Sequence, residues 1–468
     1  MTGAAPADAK TGWADLFAEG RLPRFALICL GVWLNAADSL ITATIMPSVG
    51  ADLGGYAYFS WAIAGFLMGA ILAGASAGRL SEMFGLRAAT AFAGVVFAVG
   101  CLMSAAGPNI GYFLAGRLVQ GIGSGWISGF SMVAVALLFP ERHLARVFAC
   151  VTGIWGIATV VGPLVGGVFA EAGNWRGVFW LFAVQAVLFA VAAPWLLKGS
   201  GRGESHFGVP WLQLGVLAAG VGAIAVADVY REPVVALALV AAGFAVLGLV
   251  LWIDARAPVR LMPHRAGDLR TVVGSGYAAM FAMMAATMGL SVYGPAILQE
   301  TRGLSPLWAG YAVAAEALAW TTAGIAVAGA TGVWPDRWVR IGTLCILVSV
   351  VMLAVTFRDA SIGWIVAGAS LMGAGLGLCS AFMNRRVIAA LSNEDKAIGS
   401  GAIMAVRQTG SAAGAAIAGV AANLVGFSGG LTMQTAQSAA VWVFVAAIPL
   451  AVAATLASFR LTGSAERA

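Results

Sequence analysis

The sequence predicts an all-α integral membrane protein, and three observations carry that prediction. Of its 468 residues, 61% are hydrophobic and only 10% are charged, whereas soluble domains carry about 25% charged residues. Apolar stretches recur along the whole chain, fourteen of them from 25–47 to 438–459, and about 20 apolar residues suffice to cross a bilayer. The basic residues alternate with those stretches. With the first stretch entered from the cytoplasm, 20 Lys and Arg fall in inner segments and tails, and only Arg176, Arg231, Arg302 and Arg358 in outer loops. That asymmetry orients the chain in a cell membrane with both termini cytoplasmic.

Composition also excludes other classes. The net charge of +6 is spread along short loops, so it reads as topology rather than as a nucleic-acid surface. Cys29, Cys101, Cys150, Cys345 and Cys379 stand singly in apolar stretches and read as small hydrophobes. His143, His206 and His264 fall in connecting segments away from any ligand cluster, so neither a metal nor a cofactor is expected. The lysines Lys10, Lys198 and Lys396 end no GxxxxGK[ST] loop, which excludes ATP drive in this chain. No nucleophile–base constellation points to an enzyme, and no ring of one charge or repeated filter segment points to a channel or pore.

In chain order, residues 1–24 contain Asp8, Asp15 and Glu19 and no apolar core, so they are expected to be a cytoplasmic tail rather than a cleaved leader. The first apolar stretch holds Asp38, nine residues before Pro47. Between the second and third lies Gly78-Arg79-Leu80-Ser81-Glu82-Met83-Phe84-Gly85-Leu86-Arg87, where glycines permit a tight turn and a carboxylate near a helix N-terminus is stabilised. The fourth holds Arg117, followed by Gln120 and Gly121-Ile-Gly123-Ser-Gly125. A guanidinium stays protonated and costs about 2.5–3.5 kcal/mol at the centre of an inserted helix, so it requires an anion or water. Asp38 and Arg117 lie at similar depth, roughly 13 and 10 Å from the same side at 1.5 Å per residue, and are expected to pair, with the planar guanidinium fork holding the carboxylate at two points. The fifth stretch carries Gly162-Pro163-Leu-Val-Gly166-Gly167, which favours close helix packing and a bend.

A shift of 252 residues sets Gly121, Gly123, Gly125 and Ser128 on Gly373, Gly375, Gly377 and Ser380, and Gly162 and Gly167 on Gly414 and Gly419. Helices four and five are therefore expected to recur as ten and eleven of a six-plus-six plan. The expected units are 25–197 and 270–459 as six-helix halves, 198–269 as an inserted helix pair with its loops, and 460–468 as a second cytoplasmic tail. Asp228 and Asp254 in the insert lie at span ends and read as interfacial, which makes the pair dispensable for the chemistry. In the second half, Glu316 and Trp320 are four residues apart and share a helix face, suited to a lipophilic cation or to a second proton site. Arg407, with Gln408 beside it, is a second intramembrane cation.

With these residues in view, the chain resembles the major facilitator superfamily, and its fourteen-span layout is similar to the drug:proton antiporter branch. The resemblance rests on the loop motif Gly78–Arg87, on Arg117, Gln120, Gly121 and Gly123, on Gly162-Pro163 with Gly166-Gly167, and on the Asp38-to-Pro47 pattern. Trp61, Gln299 and Arg407-Gln408 also match, while the second copy of the loop motif at Gly332-Val-Trp-Pro-Asp336-Arg337 is degraded. The resemblance implies a monomeric transporter that exports a small molecule, drug or metabolite, by alternating access in exchange for protons, with an importing proton symporter as the alternative and a receptor or channel behind it. It implies proton coupling at Asp38, Arg117 and Glu316, and a substrate cavity lined by Asn35, Gln120, Trp126, Glu316, Trp320, Arg407 and Gln408. A gating loop at Gly78, Glu82, Gly85 and Arg87 and an antiporter motif at Gly162, Pro163, Gly166 and Gly167 complete the expected machinery.

Overall fold

A computed structural model describes residues 21–139, 141–198 and 208–463; of the expected tails 1–24 and 460–468, positions 21–24 and 460–463 are helical, while 1–20 and 464–468, like the segment holding Arg202 and His206, lie outside the described residues. Fourteen α-helices are described. They are α1 (Arg21–Leu53), α2 (Trp61–Phe84), α3 (Leu86–Ala106), α4 (Ile110–Leu138), α5 (Glu141–Glu171), α6 (Arg176–Leu196), α7 (Trp211–Ala227), α8 (Pro233–Asp254), α9 (Val272–Arg302), α10 (Pro306–Val327), α11 (Trp334–Thr356), α12 (Ile362–Ala389), α13 (Lys396–Leu424) and α14 (Met433–Gly463). Eleven are long and apolar enough to span a membrane. Of the others, α7 is apolar but 17 residues long, and α10 and α13 carry Glu316 and Arg407-Gln408 among many small residues.

Local chemistry sets the helix ends. Gly85 takes φ +76° between α2 and α3, and Gly303 takes φ +61° where α9 stops; both are conformations that glycine adopts without steric cost. The Asn109 side chain accepts from the Tyr112 amide at 2.9 Å to start α4, and Thr271 accepts from Gly274 at 3.0 Å to start α9. The helices outrun their apolar stretches: α1 begins at Arg21 and continues past Pro47 to Leu53. His143, expected in a connector, sits in the first turn of α5 and is buried.

Packing follows one plan twice. In the first six helices α1 packs on α5, α2 and α3 on α4, and α3 on α6; in the last six α9 packs on α13, α10 and α11 on α12, and α11 on α14. The repeated glycines sit in equivalent contacts. Gly121 and Gly125 meet the backbone of Phe66 and Ala70 on α2, and Gly373 and Gly377 that of Glu316 and Trp320 on α10. Gly123 faces Phe97 on α3, and Gly375 faces Gly342 on α11. The contacts between the two sets are paired too, with α5 against α10 and α13 against α2.

Helices α7 and α8 pack on each other and then, through α7, on α2 and α13. They cover one of the two paired joints and leave the α5–α10 joint without an equivalent. Asp254, at the end of α8, accepts from the amides of Leu261 at 2.6 Å and Met262 at 2.9 Å and so folds the connector to α9. That connector reaches the α12–α13 loop, where His264 Nδ1 lies 3.1 Å from Asp395. Burial raises the Asp395 carboxyl, but hydrogen bonds from His264 and Ser392 outweigh it and hold it below its ordinary value. Loop-motif residues of the two repeats behave differently. Glu82 pairs with Arg79 on its own helix at 2.9 Å, while Asp336, in the degraded copy, pairs with Arg386 of α12.

A Cβ at Gly373 falls on the Glu316 carbonyl, whereas one at Gly153 meets nothing within 4 Å. Gly373→Ala is expected to cost about 1–3 kcal/mol by overpacking, and Gly153→Ala to be neutral or slightly stabilising. Thermal unfolding of the purified variants in one detergent checks both.

Candidate functional site

Arg117 is 1% exposed and so is Asp38. They meet between α4 and α1, where Arg117 Nη1 donates to Asp38 Oδ1 at 2.9 Å and to Oδ2 at 2.8 Å. The same nitrogen lies 2.7 Å from Gln120 Oε1, while Gln120 Nε2 donates to Asp38 Oδ1 at 2.7 Å. Arg117 Nε donates to the Ala62 carbonyl on α2 at 3.0 Å, and the guanidinium carbon lies 4.6 Å from the Phe66 ring centroid. Both carboxylate oxygens are thus gripped by one nitrogen. This differs from the expected two-pronged fork: one nitrogen, Nη1, meets both oxygens, and Nε goes instead to α2. The result is a four-membered network across α1, α2 and α4, with Gln120 inside it rather than facing a substrate.

Toward the start of α1 the polar contacts continue. Asn35 accepts from Ser124 Oγ at 2.9 Å and donates to Ser128 Oγ at 3.2 Å, and it remains partly exposed. Trp126 is not brought to this group. Its indole donates to Ser76 on α2 at 2.9 Å and its ring lies 5.6 Å from that of Phe92 on α3. Phe92 is 57% exposed, so Trp126 points to the periphery.

On the other side, Glu316 is buried on α10 and accepts from Ser291 Oγ of α9 at 3.3 Å. No ion pair to Glu316 or to Arg407 is described among the described residues. Arg407 lies over the Trp320 ring at 5.3 Å. The Trp320 face expected to receive a cationic ligand therefore already carries a guanidinium. Glu316, Trp320, Arg407 and the partly exposed Gln408 form a second group, on α10 and α13, holding one carboxylate and one cation that are not paired with each other.

The two sets of six helices close on each other at one face, that of residues 54–60, 303–305 and 425–432, here called the loop face; the helix ends Arg21 and Gly463 lie at the opposite, terminal face. Three hydrogen bonds between the two sets lie toward the loop face. Tyr311 donates to the Val160 carbonyl at 3.1 Å, Gln299 to the Thr44 carbonyl at 3.4 Å, and Asn423 to the Ala57 carbonyl at 2.8 Å. The glycine-proline motif belongs to this closure. Gly162 and Gly166 face Leu40 and Ile41 of α1, Pro163 backs onto Gly310, and a Cβ at Gly167 would lie 2.5 Å from Leu307 Cα of α10. Helix α5 runs through Pro163 from Glu141 to Glu171. At the terminal face Gly78 accepts from Ser81 Oγ at 2.7 Å, Gly85 makes the turn, and Arg87 is exposed.

The sequence reading missed the third polar group. Asp228, expected at the interface, is 1% exposed and accepts from Ser60 Oγ and from Asn423 Nδ2. The positions 228 and 423 are 195 residues apart and share no motif; the available signal was a carboxylate and an amide at the ends of apolar helices.

Apolar helices that repeat one packing plan twice, each repeat enclosing buried ionisable groups, are the architecture of a membrane transporter. A family profile described as the Major Facilitator Superfamily matches residues 28–415, and the chain belongs to that superfamily. A protein of Mycobacterium tuberculosis (strain H37Rv) named "Probable multidrug-efflux transporter" is 29% identical over 97% of both chains. An efflux pump of Gibberella fujikuroi is 27% identical over 84% of this chain and 73% of its own. Among solved structures, a sulfate-bound peptide transporter matches with TM-score 0.68 at 16% identity over 97% of this chain and 96% of that one. A D-xylose–proton symporter matches with TM-score 0.63 at 17% identity over 92% and 97%. These two establish likeness of fold.

Arg117→Lys is expected to destabilise the protein and to abolish function, since an ammonium cannot bond Ala62, Gln120 and Asp38 in one plane. Arg117→Ala leaves Asp38 buried without its cation, a loss of about 3–5 kcal/mol. Unfolding of the two variants, compared with Asp38→Asn, checks this; wild-type stability in Arg117→Lys would show that charge alone matters there.

Proposed function

We propose that the protein is a proton-coupled exporter of small lipophilic molecules, with two six-helix halves, 25–197 and 270–459, moving about the site between them. The observation that carries this reading is the Asp38–Arg117–Gln120 network and its position on α1. Six residues beyond Asp38, roughly 9 Å along the helix, Thr44 receives Gln299 from α9 and lies 2.9 Å from the Cβ position of Gly310 on α10. Helix α1 thus connects the buried carboxylate to the loop-face closure. A proton arriving at Asp38 cancels its attraction to Arg117, while Arg117 keeps its bond to Ala62; α1 is then freed from α4 and α2. Proton and substrate load alternately, because the ionised pair and the protonated acid favour different placements of α1.

The excess of basic residues on the terminal side supports an orientation with both termini in the cytoplasm. In that orientation the present conformation is closed to the outside, and the latch formed by Gly78, Glu82, Gly85 and Arg87 belongs to the opposite, outward-open state. This fits the absence of an ion pair from Glu82 to another helix among the described residues. Export is favoured over import by the Gly162–Gly167 contacts with α1 and α10, which place the motif in the closure, and by relatives named as efflux proteins. Glu316 supplies the attraction for a cationic group on the substrate, Asn35 and Gln408 supply polar contacts, and Arg407 on Trp320 sets the far wall.

The test is transport into inverted membrane vesicles with an imposed pH gradient, against a panel of cationic, neutral and anionic compounds. Gradient-driven uptake of part of the panel is expected, and none at all contradicts the reading. Asp38→Asn is expected to lose uptake driven by the gradient by at least about tenfold while substrate exchange without a gradient survives, since an amide carries no proton. Glu316→Gln is expected to weaken cations selectively; equal losses for cationic and neutral compounds would move Glu316 out of the substrate site.

A further inference from the structure

The inserted pair α7–α8 turns at residues 228–232 on the loop face, and its first turning residue does not face water. Asp228 Oδ2 accepts from Ser60 Oγ, just ahead of α2, and Oδ1 accepts from Asn423 Nδ2, near the end of α13. The same amide donates to the Asp228 carbonyl at 2.9 Å and to the Ala57 carbonyl at 2.8 Å. One carboxyl group therefore ties the insert to both sets of six helices at the closure. A Cβ at Gly419 would fall on that carboxyl, so α13 approaches it with bare backbone.

Around it an aromatic cluster excludes water. Phe59 lies 5.5 Å from Tyr293 and 5.5 Å from Phe427, and Tyr293 lies 5.2 Å from Phe427; all three are fully buried. The titratable and polar groups facing Asp228 are Ser60 from the α1–α2 connector, Asn423 from α13 and Tyr293 from α9. Tyr56 and Tyr58 lie on the α1–α2 connector, and Tyr230, Arg231 and Glu232 on its own turn are exposed. No Lys, Arg or His pairs with Asp228 among the described residues.

An unpaired carboxylate sealed from water costs several kcal/mol, whereas the neutral acid keeps the Asn423 bond at Oδ1 and donates its own O–H from Oδ2 to Ser60 Oγ, a hydroxyl that accepts as well as donates. We propose that Asp228 is a second proton-binding site, carried by the inserted helices, at which the loop-face joint closes on the protonated acid and parts when the acid ionises. The proton comes from hydronium on the loop side: as the joint closes an O–H bond forms on the carboxylate and one breaks in hydronium, leaving water, and as the joint opens the carboxyl O–H breaks and the proton returns to loop-side water. The closed state then holds one proton more than the open state, so rising pH favours opening and falling pH favours closure. The insert senses the pH of the loop-side compartment instead of merely filling lipid-facing space. This rests on the alternating-access reading above.

The test is the spin-label distance distribution between Ala51→Cys and Gln434→Cys, both exposed at the loop face, in a background without the native cysteines, from pH 5 to 9 as roughly the accessible window. Wild type is expected to show a short and a long distance, their ratio shifting by up to about tenfold per pH unit near the midpoint. In Asp228→Asn the amide replaces the neutral acid, so the short distance should persist at high pH with at least a several-fold weaker pH response. Ser60→Ala, which removes one partner and leaves the acid, should favour the long distance at each pH while retaining the slope. An Asp228→Asn profile with the wild-type slope overturns the proposal and leaves alternating access standing. A single wild-type distance at all pH values, with and without a pH gradient in reconstituted vesicles, overturns both.

Discussion

Arg117 must be satisfied on every side, because a guanidinium in an apolar bundle can neither lose its proton nor reach water. Asp38, Gln120, the Ala62 carbonyl and the Phe66 ring meet that requirement, and they come from three different helices. That distribution is what gives the ion pair leverage. A pair within one helix neutralises charge and nothing more. One that joins α1 to α4, while its other nitrogen holds α2, ties three helices together at a single carboxylate.

The rest of the bundle packs in two unlike ways, within each set and between them. Glycines remove side chains where α4 crosses α2 and α3, and where α12 crosses α10 and α11. Each set of six therefore packs backbone to backbone and is stiff within itself. Between the sets the contacts are of another kind. They are a few hydrogen bonds near one face, an aromatic cluster and the tight apposition of Gly167 to Leu307. The insert breaks the symmetry of that contact: it packs on the α2–α13 joint alone and places a carboxyl group in it.

Much of this was legible in the sequence. The number of helices followed from hydropathy, although eleven of the fourteen meet the length and apolarity of a span, the repeat from the spacing of Gly121–Gly125 and Gly373–Gly377, and the Asp38–Arg117 pairing from equal depth. What failed was rotation about the helix axis. In a soluble helix the apolar stripe marks the core face, but a membrane helix is apolar toward lipid and toward protein alike. Trp126 therefore gave no sign that it points outward to Ser76 and Phe92, nor Trp320 that its ring is taken by Arg407. Asp228 was misplaced for a related reason. Its position at the end of a 17-residue apolar helix fits the membrane surface, and only the tertiary contact with Asn423 shows it to be enclosed.

In the proposed exporter substrate and proton are exclusive, because the placement of α1 that admits one is not the placement that admits the other, and the Asp38–Arg117 pair sets that placement. Proton release measured on adding a transported lipophilic cation to the purified protein in lightly buffered detergent solution tests this most directly. Release from the wild type on binding is expected, and none from Asp38→Asn although that variant still binds the compound. Undiminished release from Asp38→Asn would contradict it, as would wild-type binding with no proton change across the pH range of transport.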